Sequence, residues 1–392
     1  MTVHEEYATE NFRKLSDREH VRARYGMYIG DNGQNGLHHL AEEVINNCVD
    51  EVCCGQASRI EVTIHLDGSI SVEDDGRGIP VDRHPEESDR LEREVSALEV
   101  VMTQLGRKIG AWPFKASSGI HGVGLKAVNF LSSWCEVTVW RDGSEFRLRF
   151  EKGEVVGPVQ RMGPASKHGT RITFKADLEI FERNPQFDYE RLHRRMRELA
   201  YLYPGLIARI HDERTTELRY DRGISELVES LTWYTRSPLH NDAIRVQAQY
   251  TDSQLDIAIL FTGAGSELIQ TYVNSNLLPE GGTPVTGLKK GISRALHHFA
   301  RKNELTGDVH PTGDDLRQGL TAVIAARVAE PQFAGPLRLK IANPQLDALT
   351  DSAVYEYLKK YLADHPDTAE RIWKQGLLAA RRRTNEEHAM SD

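Results

Sequence analysis

Glu43, Asn47, Asp50 and Glu51 gather four carboxylate or amide groups into the stretch from Gly36 to Glu51. On a helix advancing 100° per residue they fall within roughly a third of a turn. Val44, Ile45, Cys48 and Val52 lie on the other side and can pack. Such a polar face is costly to bury without partners. It suits a site that holds a hydrated cation and activates a water, or else it is a solvated helix face. Two later segments offer complementary chemistry. Asp74-Asp75-Gly76-Arg77-Gly78-Ile79-Pro80 follows alternating runs at 60–65 and 69–72, which read as a hairpin turning at Asp67-Gly68. Gly76 and Gly78 permit a sharp bend and close approach. A carboxylate at a strand end, Asp74, can accept a hydrogen bond from an exocyclic amine such as that of adenine.

The third segment, Ser117 to Gly124, carries Gly119, His121, Gly122 and Gly124 and opens an apolar helical stretch from Leu125 to Leu131. Glycines before a helix expose backbone N–H groups at a positive dipole end and favour phosphate. The P-loop signature Gly-Lys-Ser/Thr is absent. Each segment alone also reads as an ordinary turn.

The elements that must position these groups divide in two. The expected α/β nucleotide-binding domain covers residues 1–222, including an arm and first helix in 1–30, and its last strand is Gly169 to Phe174. A helix from Tyr189 to Tyr203 follows. The second domain, residues 223–392, is expected to hold a helix from Ile224 to Trp233 and strands at Ile244–Ala248 and Leu255–Ile259. A helix from Val285 to Lys302, a strand from Thr321 to Val328 and a largely helical end complete it. At 392 residues both domains can have full cores. The net charge of −9 excludes a general basic footprint for DNA, so any DNA contact must be local or occur by encirclement. No stretch approaches the 18 apolar residues of a membrane span and no signal-peptide core is present. The four cysteines lack zinc-ligand spacing and read as reduced thiols, which points to the cytoplasm.

In this combination and order the three segments resemble the GHKL ATPase superfamily. Met27-Tyr28-Ile29-Gly30-Asp31, His84-Pro85-Glu86-Glu87 and Thr312 to Leu320 narrow the likeness to the ATPase subunits of gyrase and topoisomerase IV. It runs from Tyr7 to Arg383 and is most specific over 26–140. The resemblance implies an α+β fold, a GHKL (Bergerat) ATP-binding sandwich followed by a transducer α/β domain. It implies ATP and Mg2+. Glu43 falls at the general-base position, with His39 one turn earlier able to hold it, unless His39 is a capping or core histidine. Asn47 falls at the magnesium-ligating amide. Asp50 serves the adenine side, and Glu51 pairs with Arg77, otherwise a surface charge. Asp74 is the adenine-recognition carboxylate, supported by the Thr170 hydroxyl. Gly78, Ile79 and Pro80 border the base, and Arg141 lines the mouth. Gly106, Lys108 and Gly119-Ile120-His121-Gly122-Val123-Gly124 make the phosphate lid, although Lys108 reads equally as a solvated lysine. Tyr7 is the arm residue passed to a partner's pocket, with Phe12 a second arm contact.

Departures from the family pattern are specific. Asn46 and Tyr25 replace Asp and Pro, and Phe114 replaces a lid Tyr. An insertion from Ser88 to Val95 lengthens the loop after Pro85. Where the family has Gln-x-Lys with its lysine on the γ-phosphate, this chain has Pro336-Leu337-Arg338, followed by Lys340. Arg338 and Lys340 are both candidates for that contact. No Glu-Gly-Asp-Ser motif or later acidic cluster offers a DNA-cleavage centre, which suits either the ATPase region of a longer protein or a naturally short paralogue. The expected function is the ATP-dependent dimerising gate of a gyrase-like type II topoisomerase. Its expected partners are encircled DNA, a second copy on ATP binding, and an A-type cleavage subunit. The alternative is a hydrolysis-poor clamp with a regulatory or scaffolding role.

Overall fold

The computed structural model describes residues 15–106, 122–182, 184–233, 237–263, 265–305, 309–335 and 337–389, so Tyr7, Phe12, Lys108, Phe114, Gly119, Ile120, His121 and Pro336 lie outside the described residues. The chain forms two compact units. One takes the described residues up to 219 except 201–204; the other takes 201–204 and residues from 220 onward.

In the first unit, helices α1 (Asp17–Ala23) and α2 (Gly26–Ile29) lead to α3 (Gln34–Cys53). Asp31 starts α3: its Oδ1 accepts the N–H groups of Gly33 (2.8 Å) and Gly36 (3.1 Å). These bonds hold the Asp31 carboxyl below the usual range. Leu37, Leu40, Ala41, Val44, Ile45, Cys48 and Val49 then recur at helical spacing and are buried, and α3 contacts strands β1 (Arg59–Ile64) and β2 (Ile70–Asp74). β1 and β2 form the expected hairpin, pairing Ile60 with Asp74 through Ile64 with Ile70.

Helices α4 (Pro85–Leu91), α5 (Ala97–Thr103) and α6 (Gly124–Phe130) come next. The segment after Pro85 is therefore a helix over its first half, where sequence reading expects a lengthened loop. His84 Nδ1 accepts the Glu87 N–H at 3.4 Å and Pro85 sits in the first turn, a position that needs no N–H donor. Strands β3 (Ser132–Arg141), β4 (Ser144–Glu151), β5 (Glu154–Val155), β6 (Gln160–Pro164) and β7 (Gly169–Ala176) follow, then α7 (Tyr189–Leu202), β8 (Ile207–His211) and β9 (Thr215–Leu218). The sheet order is β5-β4-β3-β7-β2-β1-β8-β9, with β6 also on β4. β7 is thus not the last strand: β8 extends the sheet parallel to β1, and β9 closes the edge.

The second unit places α8 (Ile224–Thr232) against β11 (Ser253–Phe261) and β14 (Leu320–Val328). Its sheet runs β10-β11-β14-β12-β13, with β10 at Ile244–Gln249, β12 at Leu268–Val273 and β13 at Asn276–Leu277. Ile257, Ile259, Phe261 and Ile324 pack with Leu288, Ile292 and Leu296 of α9 (Thr283–Lys302). Val354 and Leu358 of α11 (Gln345–Asp364) and Trp373 of α12 (Pro366–Ala389) close that core. The Thr312-to-Leu320 motif is an anchoring corner. Thr312 and Asp315 cap each other around α10 (Gly313–Leu316), and Asp315 also receives Arg383 from α12 at 3.0 Å. Among the described residues no helix is long and apolar enough to cross a membrane.

Candidate active site

The polar face of α3 meets the first glycine of α6. A Cβ built on Gly124 would lie 1.9 Å from Glu43 Oε2 and 2.7 Å from its Cδ, so the carboxylate occupies the space that any other residue's side chain would need. His39 Nε2 stands 3.4 Å from Glu43 Oε1, one turn back on the helix. Asn47 and Glu51 are half-buried on the same face, and Asp50 is buried. Gly122 (φ 61°) and Val123 lead into Gly124, which brings the end of the glycine-rich segment onto Glu43. Gly106 ends the preceding described stretch in a left-handed conformation, φ 78°.

Strand β2 delivers Asp74 against α3, where Cys48 and Glu51 are its neighbours. Asp74 is 2% exposed, and burial pushes its carboxyl up to about 7. The Gly76 N–H donates to Oδ1 at 2.8 Å, and the Cys48 thiol of α3 and the Thr170 N–H also donate to the carboxylate. These bonds favour the ionised form but are outweighed by desolvation. The same burial raises the Cys48 thiol well above its ordinary value. Thr170 therefore reaches Asp74 through its main chain. Its hydroxyl, expected to support the carboxylate, accepts the Ile79 N–H at 3.2 Å. β7 can come this close because it begins with Gly169, where a Cβ would sit 2.0 Å from the Asp74 carbonyl oxygen.

Glu51 and Arg77 pair as a fork. Arg77 Nη2 donates to Oε1 at 2.8 Å, its Nε to Oε2 at 3.0 Å, and its own N–H to Oε2 at 3.0 Å. The pair ties the loop after β2 to α3. Arg141 Nη1 donates to the Gly78 carbonyl at 2.9 Å, holding the loop from the β3 side. Ile79 is buried and Pro80 half-buried. Among the described residues no group of three or more His, Cys, Asp or Glu side chains could hold a metal ion. An Asn47 amide alone suits a cation that draws its other ligands from phosphate and water.

Three residues near Asp74 and α3 have roles that were not assigned from the sequence. Cys48 touches the Asp74 carboxylate, His168 Nδ1 donates to the Gly76 carbonyl at 2.8 Å, and Asp31 sets the start of α3. Asn46, at its departure from the family pattern, accepts Arg195 Nη2 from α7 at 3.1 Å. Arg338 and Lys340 belong to the second unit. Arg338 has φ 54°, with its guanidinium 5.8 Å from the Phe333 ring centre. Lys340 lines a cavity of about 570 Å³ with Lys289, Lys290, Arg294 and Arg317.

Residues 32–180 match the family of histidine kinase-, DNA gyrase B- and HSP90-like ATPases, and residues 223–391 match DNA gyrase B. The 43K ATPase domain of Thermus thermophilus gyrase B, solved with an aminocoumarin, superposes with a TM-score of 0.83 at 35% identity, covering 96% of this chain and 98% of that one. The chain belongs to the DNA gyrase B family, in its ATPase region. The fold class is accordingly a GHKL ATP-binding sandwich followed by a transducer α/β domain, and the region is an ATPase. The topoisomerase IV ATP-binding domain of Francisella tularensis gives a TM-score of 0.77 at 30% identity, over 93% of this chain and 97% of that one. The B-type subunit of the type 2 topoisomerase of Aquifex aeolicus is 41% identical over 383 residues, 96% of this chain and 47% of that protein. DNA gyrase B of Myxococcus xanthus is 40% identical over 374 residues, covering 94% and 45%. The chain spans about half the length of these curated relatives.

Proposed function

We propose that this chain is the ATP-operated clamp of a gyrase-like type II topoisomerase, with residues 1–222 binding ATP and residues 223–392 transmitting its state. The observation that carries the reading is the seating of the Glu43 carboxylate on Gly124, which joins the carboxylate helix to the glycine-rich turn. Glu43 takes the proton from the water that attacks the γ-phosphate, and His39 orients the carboxylate. Asp74 in its ionised form accepts from the adenine amine, next to the loop that Glu51, Arg77 and Arg141 hold. Asp50 backs the adenine side, and Gly78, Ile79 and Pro80 border the base. Gly106, Lys108 and Gly119 to Gly124 enclose the phosphates. Asn47 supplies an amide oxygen to magnesium. When bound, that ion neutralises charge on the phosphate oxygens.

Two chains dimerise on ATP, each passing Tyr7 to the other's pocket, and DNA is enclosed between them. An A-type subunit supplies strand cleavage, and the assembly works in the cytoplasm. Arg338 or Lys340 carries the second domain's contact to the γ-phosphate. Steady-state ATP hydrolysis with a Glu43→Ala control tests the reading. Wild-type turnover is expected to fall to a small, measurable residual rate in the variant, and equal turnover in both removes Glu43 from the chemistry.

A further inference from the structure

Cys48 is buried on α3, 2% exposed, and does more than fill space. Its thiol donates to the Asp74 carboxylate of β2, which is itself 2% exposed. Two ionisable groups in a poorly solvated contact cannot both carry charge, and a carboxyl is much the stronger acid, so the sulfur keeps its hydrogen. Three donors therefore converge on Asp74. The Gly76 N–H, at 2.8 Å, and the Thr170 N–H belong to the main chain. Cys48 is the donor that a side chain supplies. Glu51, one turn further along α3, works against them. A Cβ built on Gly76 would lie 2.7 Å from Asp74 Oδ1 and 2.8 Å from Glu51 Oε2, so the two carboxylates flank one glycine. A like charge this close favours the protonated form of Asp74, which accepts a hydrogen bond less strongly.

We propose that Cys48 is a positioning residue for recognition of the base: its thiol holds the Asp74 carboxylate ionised and turned toward the exocyclic amine of adenine. The proposal rests on the reading of Asp74 as the adenine-binding carboxylate. Two effects act together. A carboxylate offers about four lone-pair positions; Gly76, Thr170 and Cys48 occupy three from inside the fold, and the amine takes the one that remains. Without the thiol the carboxylate is freer to rotate and loses a bond that favours its charged form. Both effects act on the bond to the amine and leave the sugar and phosphates untouched. A site built to pair with a donor discriminates against an analogue that lacks it, so Cys48 governs selectivity for the amine rather than nucleotide affinity at large.

Calorimetric titration of the whole chain with ATP and with purine riboside triphosphate, in magnesium at neutral pH, tests this. The second nucleotide carries a hydrogen where adenine has its exocyclic amine. Cys48→Ala removes the donor, and Cys48→Val, which fills more of the sulfur's volume, is a second donor-free variant should the first fold poorly. Cys48→Ser keeps a donor. We expect the donor-free variants to lose at least about threefold in ATP affinity and less than about 1.5-fold in affinity for the amine-free nucleotide, with Cys48→Ser recovering most of the ATP loss. Equal weakening for both nucleotides, no weakening for either, or a selective loss that serine leaves unrepaired overturns the proposal and makes Cys48 a packing residue. An unmodified chain that binds the two nucleotides equally overturns the adenine reading of Asp74 itself, and the proposal with it.

Discussion

The Glu43 carboxylate rests on the Cα of Gly124, its Oε2 filling the place where a methyl group would stand 1.9 Å away. Neither partner can change without the other. In Gly124→Ala the added methyl must displace the carboxylate, because the remaining contacts are Glu43's own Cδ and Cβ at 2.7 and 3.0 Å. Hydrolysis is expected to fall by at least about tenfold, roughly 1.4 kcal/mol of barrier, while ATP still binds. In the double variant Gly124→Ala/Glu43→Ala the glycine change should cost nothing further, since groups that act as a unit are not additive. Turnover measurements on the three proteins settle it. A rate penalty for Gly124→Ala that persists without the Glu43 side chain would place the defect in the turn alone.

Asp74 gives two pH dependences of opposite benefit. Its carboxyl stands near 7 in the folded chain and near 3.8 in an unfolded one. The folded state therefore holds the extra proton between those values. The stability this provides is complete below about 3.8 and is lost as pH rises through about 7. Asp74→Asn, which never ionises, should melt higher than the parent at pH 8.5, by on the order of 2 kcal/mol, with the gap narrowing as pH falls below 7 and closing only near 3.8. Binding runs the other way. The ionised carboxylate accepts from an exocyclic amine more strongly than the protonated acid does, so ATP affinity should fall as pH drops below 7, and Asp74→Asn should bind about 1–3 kcal/mol more weakly at pH 8. Melting curves and calorimetry across pH 5.5–8.5 check both. Identical melting shifts at every pH would show that Asp74 does not titrate in this range.

How much of this site can be read from the sequence follows from which contacts are local. Glu43, Asn47, Asp50 and Glu51 share a face because helical spacing alone puts them there, and the β1–β2 hairpin brings Asp74 to its strand end by alternation and an Asp67-Gly68 turn. The contacts that tune Asp74 are not local. Thr170 and His168 arrive because β7 pairs with β2, Glu73 facing Arg171, and nothing in the segment before Gly169 announces that partner. Strand β8 is likewise weak in sequence: Ile207-Ala208-Arg209-Ile210-His211 is short, and its burial comes from parallel pairing with β1. The helix after His84 did carry a local signal. Proline in the first turn, followed by Glu86 and Glu87, is what a helix start prefers.

Dimerisation should follow nucleotide. The spacing of Tyr7 before Met27 matches an arm that crosses to a partner, so sedimentation is expected to show monomer in buffer and dimer with a non-hydrolysable ATP analogue. Deleting residues 2–12 should abolish the dimer while leaving most nucleotide affinity, because Asp74, Thr170 and Glu51 all come from residues outside the arm. A dimer equally abundant without nucleotide would count against a gate.

The last prediction concerns Arg338 and Lys340. A lysine ammonium is a compact charge, whereas an arginine guanidinium is a planar fork that can bind phosphate without matching the same transition-state position. Arg338 also adopts φ 54°, a left-handed conformation that costs a side-chain-bearing residue about 1 kcal/mol or more, and its guanidinium lies 5.8 Å from the Phe333 ring. Lys340 sits instead beside Lys289, Lys290 and Arg294, which are ion-paired with Glu267, Asp347 and Asp351. ATP is expected to bind well to the parent chain but to be hydrolysed about tenfold more slowly than by Arg338→Lys, roughly 1.4 kcal/mol of barrier. Single-turnover rates for Arg338→Ala and Lys340→Ala then identify the residue that reaches the phosphate. A drop confined to Lys340→Ala assigns the contact to Lys340 and explains why the arginine is tolerated. If neither alanine changes the rate, this loop stands outside the chemistry, and the second unit must sense ATP through other residues.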